Sequence, residues 1–194
     1  MTTPCVLLAC QCGSVEGQLT LDDTTRFHLV CYCCDCQAYA QQLQQADTLL
    51  DEHGGTELVQ TYPANMQITQ GHQHIACMQL SEKGIYRWYT RCCHTPIGNT
   101  VRSAKLPFVG IPVAFMRFES ATQKKQLLGP IAFKVFAKYG QGQMPEEAYA
   151  KVPFVFLRQT VGFLLNGFWF NKHRPSPFFR DGSPVSTPQV GKTL

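Results

Sequence analysis

The sequence predicts a mainly β protein, α+β overall, whose antiparallel sheets are built around clusters of cysteine. Gly and Pro number 15 and 12 in 194 residues, which favours many turns over long helices. Short runs of β-branched and aromatic residues lie between these turns in the first hundred residues. Eight of the ten cysteines fall into three clusters, each at the end of a predicted strand or in a turn. With 44% hydrophobic residues, the chain can build one substantial core.

The first cluster is Cys10-Gln11-Cys12-Gly13, which lies between two short strands predicted within residues 6–21. Gly13 permits the turn that directs both sulfurs to one point. A polar turn is predicted at residues 22–25, followed by a strand at residues 27–30.

The second cluster is Cys31-Tyr32-Cys33-Cys34-Asp35-Cys36, with four thiols in six residues. In the pattern C-x-C-x-x-C, the thiols of Cys31, Cys33 and Cys36 lie in one tight turn, and Cys34 is not part of the pattern. A helix is predicted over residues 37–46, which lack Gly, Pro and β-branched residues. Its positive N-terminal end would favour thiolate over thiol at the cluster.

The third cluster follows a predicted hairpin. Strands are expected at residues 56–62 and 66–69, broken by Pro63, and then at residues 72–80 and 85–90. Cys92 and Cys93 follow just after the end of the last of these strands. His72 and His74 would share one face of a strand, as metal-binding pairs do, although a packed or solvated role is expected.

The sequence changes character after residue 101, because no cysteine follows. We predict a cysteine-bearing β domain over residues 1–103 and a partly helical C-terminal extension over residues 104–194, packed on that domain or continuous with it. One helix is predicted over residues 124–138, with an interruption at Gly129-Pro130, and another is predicted to begin at Pro145. A third, apolar helix is predicted over residues 154–170 and is expected to be buried. A membrane-surface anchor is the alternative for this last helix. From Pro175 the tail is expected to be extended.

Charge is divided unevenly, with a balance of −5 over residues 1–101 and +9 over residues 102–194. The basic half is expected to offset the acidic half rather than to bind nucleic acid, because its aromatic residues lie in apolar runs and not on a basic face. The N-terminus has no signal-peptide pattern, and no apolar run is long enough to span a membrane. We therefore expect a cytoplasmic protein, in which clustered thiols stay reduced and serve as metal ligands or redox groups.

Thiolates are preferred ligands of zinc, and the clusters predict one or two zinc ions. Cys10, Cys12 and Cys93 would form a closed site, with Cys92 or His94 as its fourth ligand. Cys31, Cys33 and Cys36 would form a second site with one open position. An open zinc coordinates water or takes a substrate thiol or carbonyl in its place. Arg87 or Arg91 is the candidate to receive a substrate carboxylate.

Two other interpretations stay open. Cys31-x-x-Cys34 and Cys33-x-x-Cys36 each have the spacing of a dithiol redox pair. A non-catalytic binding or scaffold module would use zinc for structure alone, with Cys34 or a histidine closing the second site. Of the remaining candidates, Cys5 is expected to be free and Cys77 to be part of the core, and no partner is predicted for His28 or His53.

The order of these motifs resembles the glutathione-dependent formaldehyde-activating enzyme family, which includes centromere protein V. The matching segments are Cys10-Gln11-Cys12-Gly13, Cys31-Tyr32-Cys33-Cys34-Asp35-Cys36, and residues 87–97, which contain Cys92, Cys93 and Thr95-Pro96. The resemblance covers roughly residues 5–101.

The resemblance implies a tent-like arrangement of antiparallel sheets with two zinc sites. It assigns Cys10, Cys12 and Cys93 to a structural site, and Cys31, Cys33 and Cys36 to a catalytic site. The implied activity joins formaldehyde to glutathione and is formally that of a carbon–sulfur lyase, an S-(hydroxymethyl)glutathione synthase. The chain departs from the family motif C-x-x-C-G-T, because Thr90 stands at the first cysteine and His94 at the glycine. The structural site then lacks a ligand unless Cys92 supplies it.

Overall fold

The computed structural model describes residues 3–21 and 27–191. The polar turn predicted at residues 22–25 lies outside these ranges. Within them the protein is mainly β, which confirms the predicted fold class. The strands form a four-stranded sheet, an eight-stranded sheet and a small two-stranded hairpin, accompanied by four helices.

The elements follow one another in this order: β1 (Cys5–Ala9), β2 (Glu16–Thr20), β3 (Phe27–Cys31), α1 (Cys34–Gln42), α2 (Ala46–Leu49), β4 (Thr56–Thr61), β5 (Met66–Gln70), β6 (Ile75–Gln79), β7 (Tyr86–Thr90), β8 (Pro96–Thr100), β9 (Val109–Pro112), β10 (Met116–Arg117), α3 (Ala121–Leu128), β11 (Phe133–Val135), α4 (Phe154–Trp169), β12 (Phe179–Arg180), β13 (Ser183–Pro184) and β14 (Gln189–Val190). Short 3-10 turns occupy Pro63–Asn65, His72–His74, Val113–Phe115 and Ala137–Tyr139.

The larger sheet has the strand order β11-β3-β4-β9-β8-β7-β6-β14, and the smaller one the order β10-β1-β2-β5. In β1 and β2 buried and exposed residues alternate, so that one face of this hairpin packs inward. Every residue of β8 and β9, at the centre of the larger sheet, is buried. The main core contains residues from both sheets, including Leu8, Trp88, Ile97 and Ile111.

The N-terminal half largely follows the sequence predictions. β1 and β2 form a hairpin whose connection contains Gly13 at φ 74°. The helix after the second cysteine cluster begins at Cys34 rather than after Cys36, so that Cys36 lies in its first turn. The strand predicted to begin at residue 72 begins at Ile75, because Gly71 turns the chain at φ 80° and a 3-10 turn follows. His72 and His74 therefore do not share a strand face.

Two helix predictions in the C-terminal half are wrong. The helix predicted over residues 124–138 ends at Leu128, because Gly129 adopts φ 70° and Pro130 follows; Phe133–Val135 then forms β11, which pairs in parallel with β3. No helix begins at Pro145. There the Tyr149 backbone N–H donates to the Lys134 carbonyl at 2.8 Å and its carbonyl accepts from Ala137 at 2.9 Å, so these groups serve tertiary pairing instead of a helix.

The helix predicted over residues 154–170 is present as α4, but the prediction that it is buried is wrong. Its buried residues are Phe156, Phe163 and Gly167. Phe163 stacks on Tyr62 with ring centroids 4.2 Å apart, and the Tyr62 hydroxyl donates to the Phe163 carbonyl at 2.8 Å. The opposite face is exposed. Of the helices in residues 3–21 and 27–191, none is both long and apolar enough to cross a bilayer.

Strand pairing crosses the boundary predicted between residues 103 and 104. β9 lies between β4 and β8 in the larger sheet, and β10 pairs with β1 in the smaller one. One hydrogen-bonded sheet thus contains strands from both sides of the boundary. The division into a domain and an extension stays a prediction.

The C-terminal tail is extended, as predicted for residues after Pro175, and it contributes to the core. β12 and β13 form a hairpin, and β14 pairs in parallel with β6. Just before this hairpin, Phe178 is completely buried and stacks on Trp88 with ring centroids 5.0 Å apart. The tail therefore stabilises the sheet that carries the third cysteine cluster.

We expect Phe178→Ala to lower the free energy of unfolding by roughly 3 kcal/mol, because it removes a fully buried ring and leaves a cavity beside Trp88. Urea unfolding followed by circular dichroism measures this change. Phe170→Ala is the matched control, because Phe170 is exposed and its loss should cost less than about 0.5 kcal/mol. Equal effects of the two substitutions would contradict the structural role of the tail.

Candidate metal centres

The first and third cysteine clusters meet in space. The sulfurs of Cys10, Cys12, Cys92 and Cys93 all lie within 4.8 Å of one another, and we call them the four-thiol group. Cys10 Sγ is 3.5 Å from Cys12 Sγ and 3.9 Å from Cys92 Sγ. Cys92 Sγ is also 3.9 Å from Cys93 Sγ. Both neighbouring cysteines of the third cluster therefore belong to one group that can hold a metal ion.

A tight turn after β7 brings Cys92 and Cys93 to this group. The Thr90 N–H donates to the Thr95 carbonyl at 2.9 Å, and the Thr90 hydroxyl accepts from the Thr95 N–H at 3.0 Å. His94 takes a left-handed conformation at φ 54°, which glycine adopts at lower cost. Thr90, in place of a cysteine, therefore closes the turn with its hydroxyl.

His94 lies outside the four-thiol group, in which Cys92 joins Cys10, Cys12 and Cys93. Its ring packs edge-on against Tyr89 with centroids 6.2 Å apart. The left-handed backbone at this residue and the contact with Tyr89 account for its position, and Cys92 takes the place at the thiols.

The four-thiol group does not favour the same protonation state at each sulfur. Burial raises the pKa of Cys93, but hydrogen bonds from the hydroxyls of Thr90 and Thr95 outweigh it and lower the pKa to about 5. Burial raises the pKa of Cys92 to about 12. A bound cation would remove this conflict, because it stabilises all the thiolates together.

The second cluster forms a group of its own. The sulfurs of Cys31, Cys33 and Cys36 lie within 4.8 Å of one another, and we call them the three-thiol group. Cys31 ends β3, Cys33 immediately precedes α1, and Cys36 lies in the first turn of that helix. Cys31 and Cys36 are buried and Cys33 is half-buried. Cys34 is exposed and lies outside the group.

The three sulfurs shift the pKa values of one another in different directions. Hydrogen bonds from the thiols of Cys31 and Cys36 lower the pKa of Cys33. The same contact with Cys33 raises the pKa of Cys31. The contacts within the three-thiol group therefore favour a thiolate at Cys33 over one at Cys31.

A buried arginine stands beside the three-thiol group. Arg87, on β7, is 3% exposed, and its positive charge lowers the pKa of Cys33. Its guanidinium donates to Asn99 Oδ1 at 3.4 Å and is 3.8 Å from the exposed carboxylate of Asp35. It also lies over the Tyr39 ring, 5.1 Å from the centroid. These contacts are long, so the site has positive charge available to offset thiolates.

The second candidate arginine is placed differently. Arg91 Nη2 donates to the Ser186 hydroxyl at 3.0 Å, which joins the end of β7 to the C-terminal tail. Sequence position does not distinguish the two arginines, because both lie on or next to the same predicted strand.

Residues from the C-terminal half cover the three-thiol group. Phe133, Val135 and Phe156 are buried in the same cluster as Cys31 and Cys36, and Phe136 and Val152 pack against it. Phe136 adopts φ 64°, an uncommon conformation for a bulky residue. Sequence analysis missed these residues because they carry no reactive group. The only sequence signal was their apolar character.

A glutamine connects the two helices to the four-thiol group. The Gln45 side chain, at the start of α2, donates to the Cys93 carbonyl at 3.2 Å and accepts from Gln11 Nε2 at 2.7 Å. α1 begins within the second cysteine cluster and ends at Gln42, three residues before Gln45, so that one short helical segment lies between the two groups.

The remaining candidates lie outside both groups. Cys5 is exposed and Cys77 is buried in the main core, as predicted. His28 Nε2 is 2.7 Å from Glu57 Oε1, and His53 Nδ1 is 3.0 Å from the Gln141 carbonyl oxygen. The strands on either side of α1, β3 and β4, are antiparallel. A thioredoxin-type dithiol would instead follow a strand–helix–strand unit with parallel strands.

Comparison with known proteins gives little functional information. A family model described as a family of unknown function (DUF6151) matches residues 2–188. The search of curated proteins found no significant match. Among solved structures, the crystal structure of a Rhodobacter sphaeroides protein has a TM-score of 0.44 and 16% identity, and the match covers 64% of this chain and 96% of that one.

We expect purified protein to carry one metal ion per thiol group, and Cys33→Ser and Cys92→Ser each to lose one of the two. Elemental analysis of the purified variants measures this content. Cys34→Ser is the matched control for the three-thiol group, and His94→Ala is the control for the four-thiol group. Full metal content in Cys92→Ser would show that Cys92 is not a ligand.

Proposed function

The chain belongs to the family of unknown function DUF6151, and we propose that it is a zinc protein of carbon–sulfur lyase type that acts on the adduct of a small thiol, such as glutathione, with an aldehyde. The observation that carries this proposal is the difference between the two thiol groups. Four sulfurs can close a tetrahedral site, whereas three leave one position for a substrate.

The donor set of the four-thiol group fits zinc. Thiolates about 2.3 Å from a tetrahedral zinc stand roughly 3.8 Å from one another. The measured sulfur separations of 3.5, 3.9 and 3.9 Å are close to this value. Zinc at Cys10, Cys12, Cys92 and Cys93 would tie the β1–β2 hairpin to the end of β7 and have a structural role.

The three-thiol group also fits zinc by its ligand type, with Cys31, Cys33 and Cys36 as ligands. Bound there, zinc would supply a Lewis acid with an open position, which lowers the pKa of a thiol or polarises a carbonyl. Three thiolates on a divalent ion leave a net charge of −1. The buried guanidinium of Arg87 would offset this charge.

The protein's own residues would orient and shield the reactants. Cys33, the half-buried member, marks the side of the group nearest to solvent. Phe136, Val152 and Phe156 belong to the same apolar cluster as the three thiols and would limit the access of water to them. The burial of Arg87 favours a role in charge compensation over direct binding of a substrate carboxylate. Positioning of the reacting thiol would therefore depend on Cys33 and its surroundings.

The reaction itself is an addition without oxidation or reduction. The thiol sulfur forms a bond to the aldehyde carbon, the carbonyl becomes a hydroxyl, and the thiol proton ends on that oxygen. The resemblance of the cysteine motifs to glutathione-dependent formaldehyde-activating enzymes supports glutathione and formaldehyde as the first pair to test.

A scaffold function is the second candidate, and one observation favours it. Cys31 and Cys36 are buried, and residues of the C-terminal half pack directly against them. If this cover leaves no room for a thiol, zinc would serve only to stabilise the fold.

We expect the zinc-loaded protein to accelerate formation of S-(hydroxymethyl)glutathione from glutathione and formaldehyde, followed by NMR with labelled formaldehyde. Cys33→Ser should abolish the acceleration and Cys34→Ser should retain it, because only Cys33 belongs to the three-thiol group. Calorimetry with glutathione alone gives a second measurement. No acceleration and no binding by wild-type protein with full zinc content would favour the scaffold.

We expect Arg87→Met to weaken metal binding at the three-thiol group by about tenfold or more, because the charge that compensates the thiolates is lost. Competition with a chelator measures both sites in one sample, so the four-thiol group serves as the internal reference. Arg91→Met is the matched control on the neighbouring turn. Equal weakening of metal binding at the two groups would indicate general destabilisation and contradict the role assigned to Arg87.

A further inference from the structure

The exposed side of α4 carries a continuous apolar stripe. Phe154, Leu157, Val161, Leu165 and Phe168 follow one another at intervals of three and four residues, which places them on one face of a helix. All five are exposed, and Trp169 beside them is 82% exposed. We call these six residues the outer face of α4. The helix has 16 residues and is about 24 Å long.

The helix cannot turn this face inward. Its opposite side is fixed by the stacking of Phe163 on Tyr62 and by the buried Gly167, whose position leaves no room for a Cβ atom beside Tyr62 and Pro107. An exposed apolar stripe on a fixed helix marks a surface that is covered by something else.

The charges around the helix indicate what covers it. Residues 148–180 contain five basic residues and no acidic residue: Lys151, Arg158, Lys172, Arg174 and Arg180. Lys151 precedes the helix, Arg158 lies on its exposed side, and Lys172 and Arg174 follow it. Of the nearest acids in the sequence, Glu147 is ion-paired with Lys134 and Asp181 lies beyond Arg180. The surroundings of the outer face therefore attract negative charge.

We infer that the outer face of α4 docks on an anionic lipid surface, with the helix lying in the plane of the interface. Apolar and aromatic side chains would enter the headgroup region, while basic residues at both ends would contact lipid phosphates and carboxylates. Trp169 and Phe168, next to Lys172, have the composition typical of a membrane interface.

A second copy of the chain fits this face less well. An antiparallel self-pairing centred on Val161 would set Lys151 beside the partner's Lys172 and repeat that contact by symmetry. Like charges placed together oppose such pairing, whereas the same charges strengthen contact with anionic lipid.

Vesicle co-sedimentation of the zinc-loaded full chain tests the inference. We expect binding to phosphatidylcholine vesicles with about 30% phosphatidylserine, weaker binding to phosphatidylcholine alone, and release by salt. Trp169 provides a second readout, because the other tryptophan, Trp88, is completely buried. A blue shift of emission on addition of anionic vesicles would report entry of Trp169 into the interface.

The double substitution Leu165→Gln with Trp169→Gln should weaken binding by at least about tenfold, and Arg158→Gln or Lys172→Gln by roughly fivefold each. Leu7→Gln with Val190→Gln is the matched control, because both residues are exposed on other elements and their loss should leave binding unchanged. Metal content and thermal stability of each variant establish that it is folded.

Three outcomes would overturn the inference. In the first, the wild-type protein binds neither vesicle type. In the second, the control pair loses binding as much as the α4 pair does. In the third, the protein would form a dimer in solution that Leu165→Gln with Trp169→Gln converts to a monomer, without any vesicle binding, and the outer face would then be a contact between copies.

Discussion

The structure depends on bringing seven sulfur atoms into two groups in which neighbours lie within 4.8 Å. Thiolates at such distances repel one another, and burial increases the energy of each charge. The protein reduces this cost by hydrogen bonds from Thr90 and Thr95 at one group and by the buried charge of Arg87 at the other. These devices stabilise single thiolates only. Complete ionisation of either group would require a cation, so binding of the proposed metal would be coupled to the folding of both turns.

Much of this arrangement could be predicted from local sequence. Gly13 identified the turn of the first cluster, and C-x-C-x-x-C after a strand identified Cys31, Cys33 and Cys36 as one group. Cys92 was harder to assign, since two adjacent residues rarely direct their side chains to one point. The position of Cys92 depends on the conformation of His94 and on the hydroxyl of Thr90. These two residues close a turn that the spacing of the cysteines alone does not specify.

The C-terminal half was predicted less well because its structure is determined by tertiary contacts. Ile131, Phe133 and Val135 alternate as in a strand, but the run is too short to be distinguished from a helix by pattern alone. β11 forms there because β3 offers it a free edge. Pro145 and the two glutamates resemble a helix start, but the backbone of Tyr149 pairs with β11 and the residues just after it instead. For α4 the helix itself was evident from composition. Which face is buried depends on Tyr62 and Pro107, more than fifty residues away, and no local pattern contains that information.

The pairing of β11 with β3 has a consequence for any shortened version of the protein. Val135 lies opposite Cys31 in this parallel ladder. A fragment ending at residue 103 would lose β11 and also β9, which separates β4 from β8 in the larger sheet. It would present β3, which ends at Cys31, as an unprotected edge strand, the kind of edge on which chains join to one another. The cysteine-rich half is thus expected to aggregate when expressed alone, because the later segments cover its strand edges in the full chain.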